Sequence, residues 1–183
     1  MTAATGPALV LGVGNVLLGD DGVGVRVVEE LRRLAADDPA AVPAGARLVD
    51  GGTLGLGLLD AVRGARSLLL LDAVNLDQEA GTVGVLRGDA IFVSGGRGAA
   101  TIPGSVGEML AAARLMGWLP DLVTLVGVQV GDTGFGMGLS SEVEGAVSRA
   151  VDIARTELRV LDERAKAGRP VAWSNRHQGE ATA

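Results

Sequence analysis

Short runs of apolar residues alternate along this chain with stretches in which apolar residues recur every three or four positions. The runs have the length of β-strands and predict strands at 8–13, 46–49, 67–72, 82–87 and 122–130. The periodic stretches predict helices at 21–36, 54–62 and 105–116, and a long last helix that Ser140 or Ser141 begins and Gly168 ends. Such alternation is typical of βαβ units, so we expect an α/β fold. It is predicted to be a single domain of three layers, in which helices flank a twisted, mostly parallel sheet of about five strands.

The periodic pattern of apolar positions stops where the last predicted helix ends. Residues 169–183 show no periodicity, and Pro170 follows the glycine that closes the helix. We therefore expect residues 1–168 to form one domain and residues 169–183 to form a flexible C-terminal tail. The single histidine of the chain, His177, lies in this predicted tail.

Composition narrows the possible functions. The chain has 183 residues, no cysteine and a formal net charge of −6. The lack of cysteine excludes disulfides, thiolate zinc sites and a cysteine nucleophile. An acidic chain without a basic stripe argues against a nucleic-acid partner. The sequence has neither the features of a signal peptide nor an apolar run of membrane-spanning length, so we expect a cytoplasmic protein that is not inserted into a membrane.

Two adjacent acids, Asp20 and Asp21, lie in a glycine-rich turn directly after the first predicted strand. In open α/β sheets, ligands bind at the carboxyl ends of the strands. Gly12 and Gly14 also fit the start of a dinucleotide-binding fingerprint, but Leu17 occupies its third glycine position. Because the two acids would repel a phosphate, a nucleotide-binding enzyme is kept only as an alternative that saturable cofactor binding would reveal.

The third predicted strand ends on another acid, Asp72. In a doubly wound sheet that starts with the order 2-1-3, strands one and three are neighbours, so Asp21 and Asp72 are expected to open onto one crevice. Two structural alternatives exist. The pair Asp20 and Asp21 could cap the helix that follows it. Asp72 could cap a turn with Asn75 and Asp77.

The chain resembles the hydrogenase maturation endopeptidases in segments that occur in the family's order and spacing. These segments are "LVLGVGNVLLGDDGVGVRVVEEL", "LVDGGTLGLGLLD", "LLLLDAVN", and "LVTLVGVQVG" followed by "GLSSEVEGAVSRAV". Together they lie between residues 8 and 165. Members of this family are cytoplasmic proteases that remove a C-terminal peptide from the large-subunit precursor of a [NiFe]-hydrogenase after nickel insertion. The resemblance therefore implies an endopeptidase whose partner is this precursor. It also implies that nickel is sensed in the substrate and is not a permanent cofactor.

The resemblance assigns catalytic and metal-reading roles to two acids. The family's first acid maps to Asp21, the second member of the pair, and its next acid maps to Asp72. The family's histidine falls at or near Ile102, in a segment that contains no histidine. Loss of an imidazole leaves two carboxylates, a hard ligand set that binds nickel weakly.

The end of the second predicted strand is a candidate for substrate binding. We expect Asp50 to orient the turn that follows it. Small residues let a substrate chain approach the backbone closely, so the predicted substrate-binding residues are Gly51, Gly52, Thr53 and Gly55. A second functional hypothesis follows from the missing histidine: a homologue that has lost hydrolysis and acts as a binding or checkpoint module for the hydrogenase large subunit.

Overall fold

The structure is a computed structural model that describes residues 6–92 and 105–168 of the chain. Strands and α-helices alternate along it, with single turns of 3₁₀ helix in several connections. The strands are β1 (Ala8–Val13), β2 (Arg47–Gly52), β3 (Ser67–Val74), β4 (Val83–Arg87) and β5 (Val123–Gln129). The helices are α1 (Val23–Asp37), α2 (Leu59–Val62), α3 (Ser105–Leu115) and α4 (Ser141–Lys166).

The five strands form one sheet in the order β2-β1-β3-β5-β4. Neighbouring strands are parallel, except that β4 runs antiparallel to β5. All residues of β1 and β3 are buried, as expected for central strands covered on both faces. Helices α1 and α4 cover one face, and α2 and α3 cover the other. The predicted three-layer α/β fold is confirmed.

The predicted elements occur in the predicted order, but the boundaries differ where the candidate site lies. β2 extends to Gly52 and β3 to Val74, so Asp50 and Asp72 lie inside strands and not after them. β3 continues because its last residues still pair with β5, Asp72 opposite Gly127 among them. The acid pair lies in a 3₁₀ helix, Gly19–Gly22, and α1 begins only after it.

Two glycines let α1 lie very close to the sheet. A Cβ atom at Gly24 would be 2.1 Å from the carbonyl oxygen of Leu71 and 2.4 Å from that of Val13. A Cβ atom at Gly12 would be 2.4 Å from the carbonyl oxygen of Gly24. The start of α1 therefore rests on the ends of β1 and β3, and the turn before it reaches β3.

Helix α4 begins as its sequence predicts. Ser140 is the N-cap, and its hydroxyl accepts a hydrogen bond from the backbone N–H of Val143 at 3.4 Å. The predicted tail at 169–183, with His177, lies outside the described residues, and so does Ile102. In the two described ranges, no helix has both the length and the apolar character needed to cross a membrane.

Candidate active site

The strand order places the candidate acids at one edge of the sheet. β1 lies between β2 and β3, with Gly12 opposite Leu71 in the β1–β3 pair. The turn after β1 carries Asp21, and the residue after Leu71 is Asp72. The 3₁₀ turn that carries Asp21 contacts β3, so the two acids belong to the same edge of the sheet.

Asp21 is fixed by the turn in which it lies. Its Oδ2 atom accepts a hydrogen bond of 2.7 Å from the backbone N–H of Asn15. The side chain of Asn15 in turn accepts the N–H of Leu17 at 3.0 Å. Gly14 has a φ of +128°, and a Cβ atom there would be 1.8 Å from the carbonyl oxygen of Asp21. Glycine is therefore needed at position 14 for this turn to close on Asp21.

Asp72 is buried, with 3% of its surface exposed. The sequence predicts that Asp72 opens onto a crevice, but its side chain is almost fully shielded from solvent, because β3 continues for two residues past it. Its Oδ1 atom accepts the N–H of Ala73 at 2.8 Å, and its Oδ2 atom is buried without a hydrogen-bond partner within residues 6–92 and 105–168. The turn after β3 does not use Asp72 either, since Asn75 and Gln129 accept its backbone N–H groups.

The surroundings of Asp72 favour its neutral form. Burial raises the pKa of the Asp72 carboxyl well above its usual value, the hydrogen bond from Ala73 only partly opposes this, and the negative charge of Asp21 raises the pKa further. An acid with such a pKa can hold a proton at rest and release it when a positive charge arrives. Two neighbouring carboxyls, one of them with an unpartnered oxygen, form a suitable place for a cation.

Asp20, next to Asp21, has a structural role. Its carboxylate accepts hydrogen bonds from the backbone N–H groups of Gly131 at 2.9 Å, Asp132 at 2.8 Å and Ser140 at 2.7 Å, and from the Ser140 hydroxyl at 3.0 Å. Burial opposes ionisation of Asp20, but these hydrogen bonds outweigh it and leave its pKa below the usual value. Neither Asp20 nor Asp21 caps a helix through its side chain, so the capping alternative is wrong.

The glycine turn after β2 lies beside the turn that holds Asp21, because the N–H of Gly14 donates to the carbonyl of Gly52 at 3.0 Å. Asp50 orients this turn as expected: its Oδ1 atom accepts the N–H of Gly52 at 3.0 Å. Gly51 and Gly55 are buried, and Thr53 is exposed. The glycines therefore have a clear role in the turn itself, and Thr53 presents a side chain to solvent.

Sequence reasoning missed two features of this edge. Gln129, at the end of β5, is buried and accepts the N–H of Leu76 at 2.6 Å through its side chain, which fixes the loop after β3. Phe135 and Met137, in the loop between β5 and α4, are 90% and 82% exposed. The sequence signal for this loop was the glycine-rich stretch "GDTGFGMG", whose two large apolar residues have no helical or strand period.

Two of the residues predicted to sense nickel, Asp21 and Asp72, lie in the described part of the chain. Within 6–92 and 105–168, no group of three or more histidine, cysteine, aspartate or glutamate residues is placed to hold a metal ion. The position of the family's histidine, at or near Ile102, lies outside these ranges.

Known proteins with similar sequences and structures are hydrogenase maturation proteins. The sequence model of the hydrogenase maturation protease family matches residues 25–157. The hydrogenase expression/formation protein HupD of Rhodobacter capsulatus is 38% identical over 153 residues, which cover 82% of this chain and 70% of that protein. The hydrogenase 2 maturation protease of Escherichia coli is 34% identical over 157 residues, which cover 82% of this chain and 90% of that protein.

A solved structure agrees with these relatives. The hydrogenase maturating endopeptidase HybD from E. coli superposes with a TM-score of 0.66 at 29% identity, covering 88% of this chain and 94% of that one. The match covers most of both chains. The chain therefore belongs to the hydrogenase maturation protease family and is an endopeptidase.

Proposed function

We propose that this endopeptidase removes the C-terminal extension from the large-subunit precursor of a [NiFe]-hydrogenase, in the cytoplasm and after nickel has been inserted into the precursor. Asp21 and Asp72 are the acids that sense the nickel of the precursor by binding it. The observation that carries this proposal is the buried Oδ2 atom of Asp72, which has no hydrogen-bond partner among the described residues and belongs to a carboxyl whose pKa the charge of Asp21 raises.

The donor set fits a metal that the substrate brings with it. Two carboxylates are too few and too hard to hold nickel tightly, so a metal already ligated by the precursor suits this site better than a free ion. A cation between the acids favours the ionised form of both, because opposite charge lowers a carboxyl pKa. Binding of the nickel-loaded precursor is therefore expected to release the proton of Asp72.

The two acids have different duties in this proposal. The Asn15 N–H holds the Asp21 carboxylate in place before substrate arrives. Asp72 is the group whose protonation changes, because it gives up its proton when the nickel-loaded precursor binds. The substrate chain lies along the turn of Gly51, Gly52, Thr53 and Gly55, whose backbone it approaches. Among these, Thr53 offers the exposed side chain.

The alternative of a binding module without hydrolytic activity is not favoured. This alternative was based on the missing histidine near Ile102. The proteins that match most of this chain, however, include one named as a maturation protease and a structure named as an endopeptidase.

Cleavage of nickel-loaded precursor, followed by intact-protein mass spectrometry, tests the proposal. We expect wild type to remove a C-terminal peptide, and Asp21→Asn and Asp72→Asn to slow this by at least about 100-fold, the usual effect of losing a group that acts on the reacting atoms. Asp50→Asn is the matched control, since it removes an acid from the same edge and its amide oxygen can still accept the Gly52 N–H. Normal cleavage by both site variants would overturn the assignment.

The lack of a histidine near Ile102 leads to a separate expectation. The free protein should bind added nickel weakly, with the precursor supplying most of the ligands. Ile102→His should strengthen nickel binding by about tenfold or more if it restores a third ligand, and about 1.4 kcal/mol corresponds to tenfold. Calorimetry on both proteins measures this. Tight binding by wild type that His177→Ala abolishes would instead place the tail histidine at the site.

A further inference from the structure

The exposed large apolar residues of this protein are concentrated at one edge of the sheet. In the described part of the chain, eight such residues are exposed, and six of them lie in the turns that follow β1, β2 and β5. We call these six the apolar collar: Val16, Leu17, Leu54, Leu56, Phe135 and Met137. The other two, Leu115 and Met116, lie at the end of α3. An even scatter of exposed apolar residues needs no explanation, but a cluster at one edge does.

The collar is rigidly held by backbone hydrogen bonds. The N–H of Gly136 donates to the carbonyl of Leu17 at 2.9 Å, and the N–H of Gly19 donates to the carbonyl of Gly136 at 2.9 Å. These bonds join the turn after β1 to the loop after β5, between Phe135 and Met137. The hydrogen bonds to the Asp20 carboxylate hold the two ends of the same loop. A loop whose backbone is already fixed loses little backbone entropy when a partner binds.

The collar is continuous with the candidate active site. Val16 and Leu17 belong to the turn that fixes Asp21, and Val16 lies against Gly22, since a Cβ atom on that glycine would be 3.0 Å from the Val16 Cα. The bond from Gly14 to Gly52 joins this turn to the one that carries Leu54 and Leu56. A macromolecule whose peptide reaches Asp21 must therefore also cover the collar.

The described turns and loops that surround the collar carry charges of one sign. The segments at this edge, 14–22, 50–58, 75–82 and 130–140, contain six acidic residues and no lysine or arginine. Asp20 is buried, and the five acids that reach the surface are Asp21, Asp50, Asp77, Glu79 and Asp132. Such a face attracts a partner with a basic surface and repels a second copy of itself.

We infer that the apolar collar docks the folded body of the hydrogenase large-subunit precursor, through a patch of apolar side chains bordered by lysine and arginine. This inference rests on the proposed function and adds to it a recognition surface outside the acid pair. Phe135 and Met137 are the expected anchors, because they are the most exposed members of the collar and large side chains near an interface centre dominate binding.

The test compares two double variants by steady-state cleavage of nickel-loaded precursor. Phe135→Ser with Met137→Ser should raise KM at least tenfold while kcat changes by less than about twofold, because the acids are untouched. Leu115→Ser with Met116→Ser is the matched control, since it removes two exposed apolar residues at the end of α3, outside the collar, and its KM should equal that of wild type. Raising NaCl from about 0.05 to about 0.5 M should raise the wild-type KM, because salt screens the charge complementarity.

The other outcomes distinguish failure of the inference from failure of the proposed function. An unchanged KM for the collar variant would overturn docking and leave the proposed function intact. If wild type does not cleave, the proposed function fails, and calorimetric titration with uncleaved precursor still decides docking: equal Kd values for wild type and the collar variant would overturn it. A wild-type dimer in sedimentation that the collar variant loses would assign the collar to a second copy instead. Met137→Ser alone repeats the comparison if the double variant does not fold.

Discussion

At the scale of single residues, two identical neighbours have opposite roles. Asp20 is completely buried and accepts four hydrogen bonds that fix the loop after β5, whereas Asp21 is half-buried and accepts one from Asn15. Their sequence position could not distinguish them, because both lie in the same 3₁₀ turn before α1. The direction of each side chain decides the role, and a 3₁₀ turn sends adjacent side chains in different directions.

The same substitution at these two positions should therefore have opposite effects. Asp20→Asn places an amide N–H₂ or a neutral oxygen against backbone donors, so we expect it to reduce the free energy of unfolding by about 3 kcal/mol, the range for hydrogen bonds to a charged group. Asp21→Asn should leave that free energy nearly unchanged and remove cleavage. Urea unfolding of both variants measures this. Equal loss of stability would contradict the division of roles.

Asp72 should make stability depend on pH in an unusual direction. Burial and the charge of Asp21 raise its pKa in the folded state, so the folded protein holds this proton more tightly than the unfolded chain does. The resulting stabilisation is fully present below the pKa of the unfolded chain and is lost as pH rises through the folded pKa. We expect Asp72→Asn to be more stable than wild type at neutral pH, with the difference shrinking in acid.

Thermal unfolding of wild type and Asp72→Asn across pH measures this difference directly. Asp20 provides the internal contrast, because its lowered pKa gives stability that is present above the unfolded value and is lost as pH falls through the folded one. A Tm gain for Asp72→Asn that stays constant down to acid pH would show that burial does not perturb Asp72.

At the scale of elements, the approach of α1 to the sheet positions the site. The glycine at position 24 allows it, since any Cβ atom there would overlap the carbonyl oxygens at the ends of β1 and β3. The spacing of Val23, Val27 and Leu31 predicts a helix here, but it does not show how close that helix lies to the sheet. The distance between the helix layer and the sheet depends on which residues face each other across their interface, and only the tertiary structure shows which residues these are.

Two helical glycines give a matched test of this packing. Gly24→Ala should cost about 3 kcal/mol or more, because overpacking against backbone forces the helix to move, and the displaced turn should also slow precursor cleavage. Gly145→Ala in α4, where a Cβ atom would meet nothing within 4 Å, should stabilise the protein by roughly 0.5 to 1 kcal/mol through helix propensity. Denaturant unfolding compares them, and a neutral Gly24→Ala would contradict the close packing.

At the scale of the whole molecule, charged residues join the edge strand to the long helix. Arg87 at the end of β4 forms a bidentate ion pair with the buried Glu157 of α4, whose Oε2 atom is 2.9 Å from the arginine Nε. Arg66, directly before the central strand β3, pairs with the buried Asp162 of the same helix. Lys166 provides Asp162 with a second cation. α4 is therefore tied to the sheet at two separated points along its length.

The pair at β4 should be costly to break and nearly neutral to replace. Arg87→Met leaves Glu157 buried without its cation and should cost about 2 kcal/mol. Arg87→Met with Glu157→Met should recover most of that loss, because a buried ion pair adds little over a well-packed apolar pair. Urea unfolding and amide exchange of β4 provide the readouts. A double variant as unstable as the single one would mean that the pair itself stabilises the fold.

The sequence by itself determined the order and type of the elements, because hydrophobic periodicity depends on local pattern. Through the family resemblance it also supplied Asp21 and Asp72 as candidate site acids, and their roles stay a prediction. The tertiary structure decided the burial of Asp72, the structural duty of Asp20 and the gathering of the apolar collar. Burial depends on what covers a residue, and hydrogen bonds such as those from Ser140 to Asp20 join residues 120 positions apart. No local sequence pattern predicts this burial or these long-range hydrogen bonds, since both arise only when β1, β3, β5 and α4 meet at one edge of the sheet.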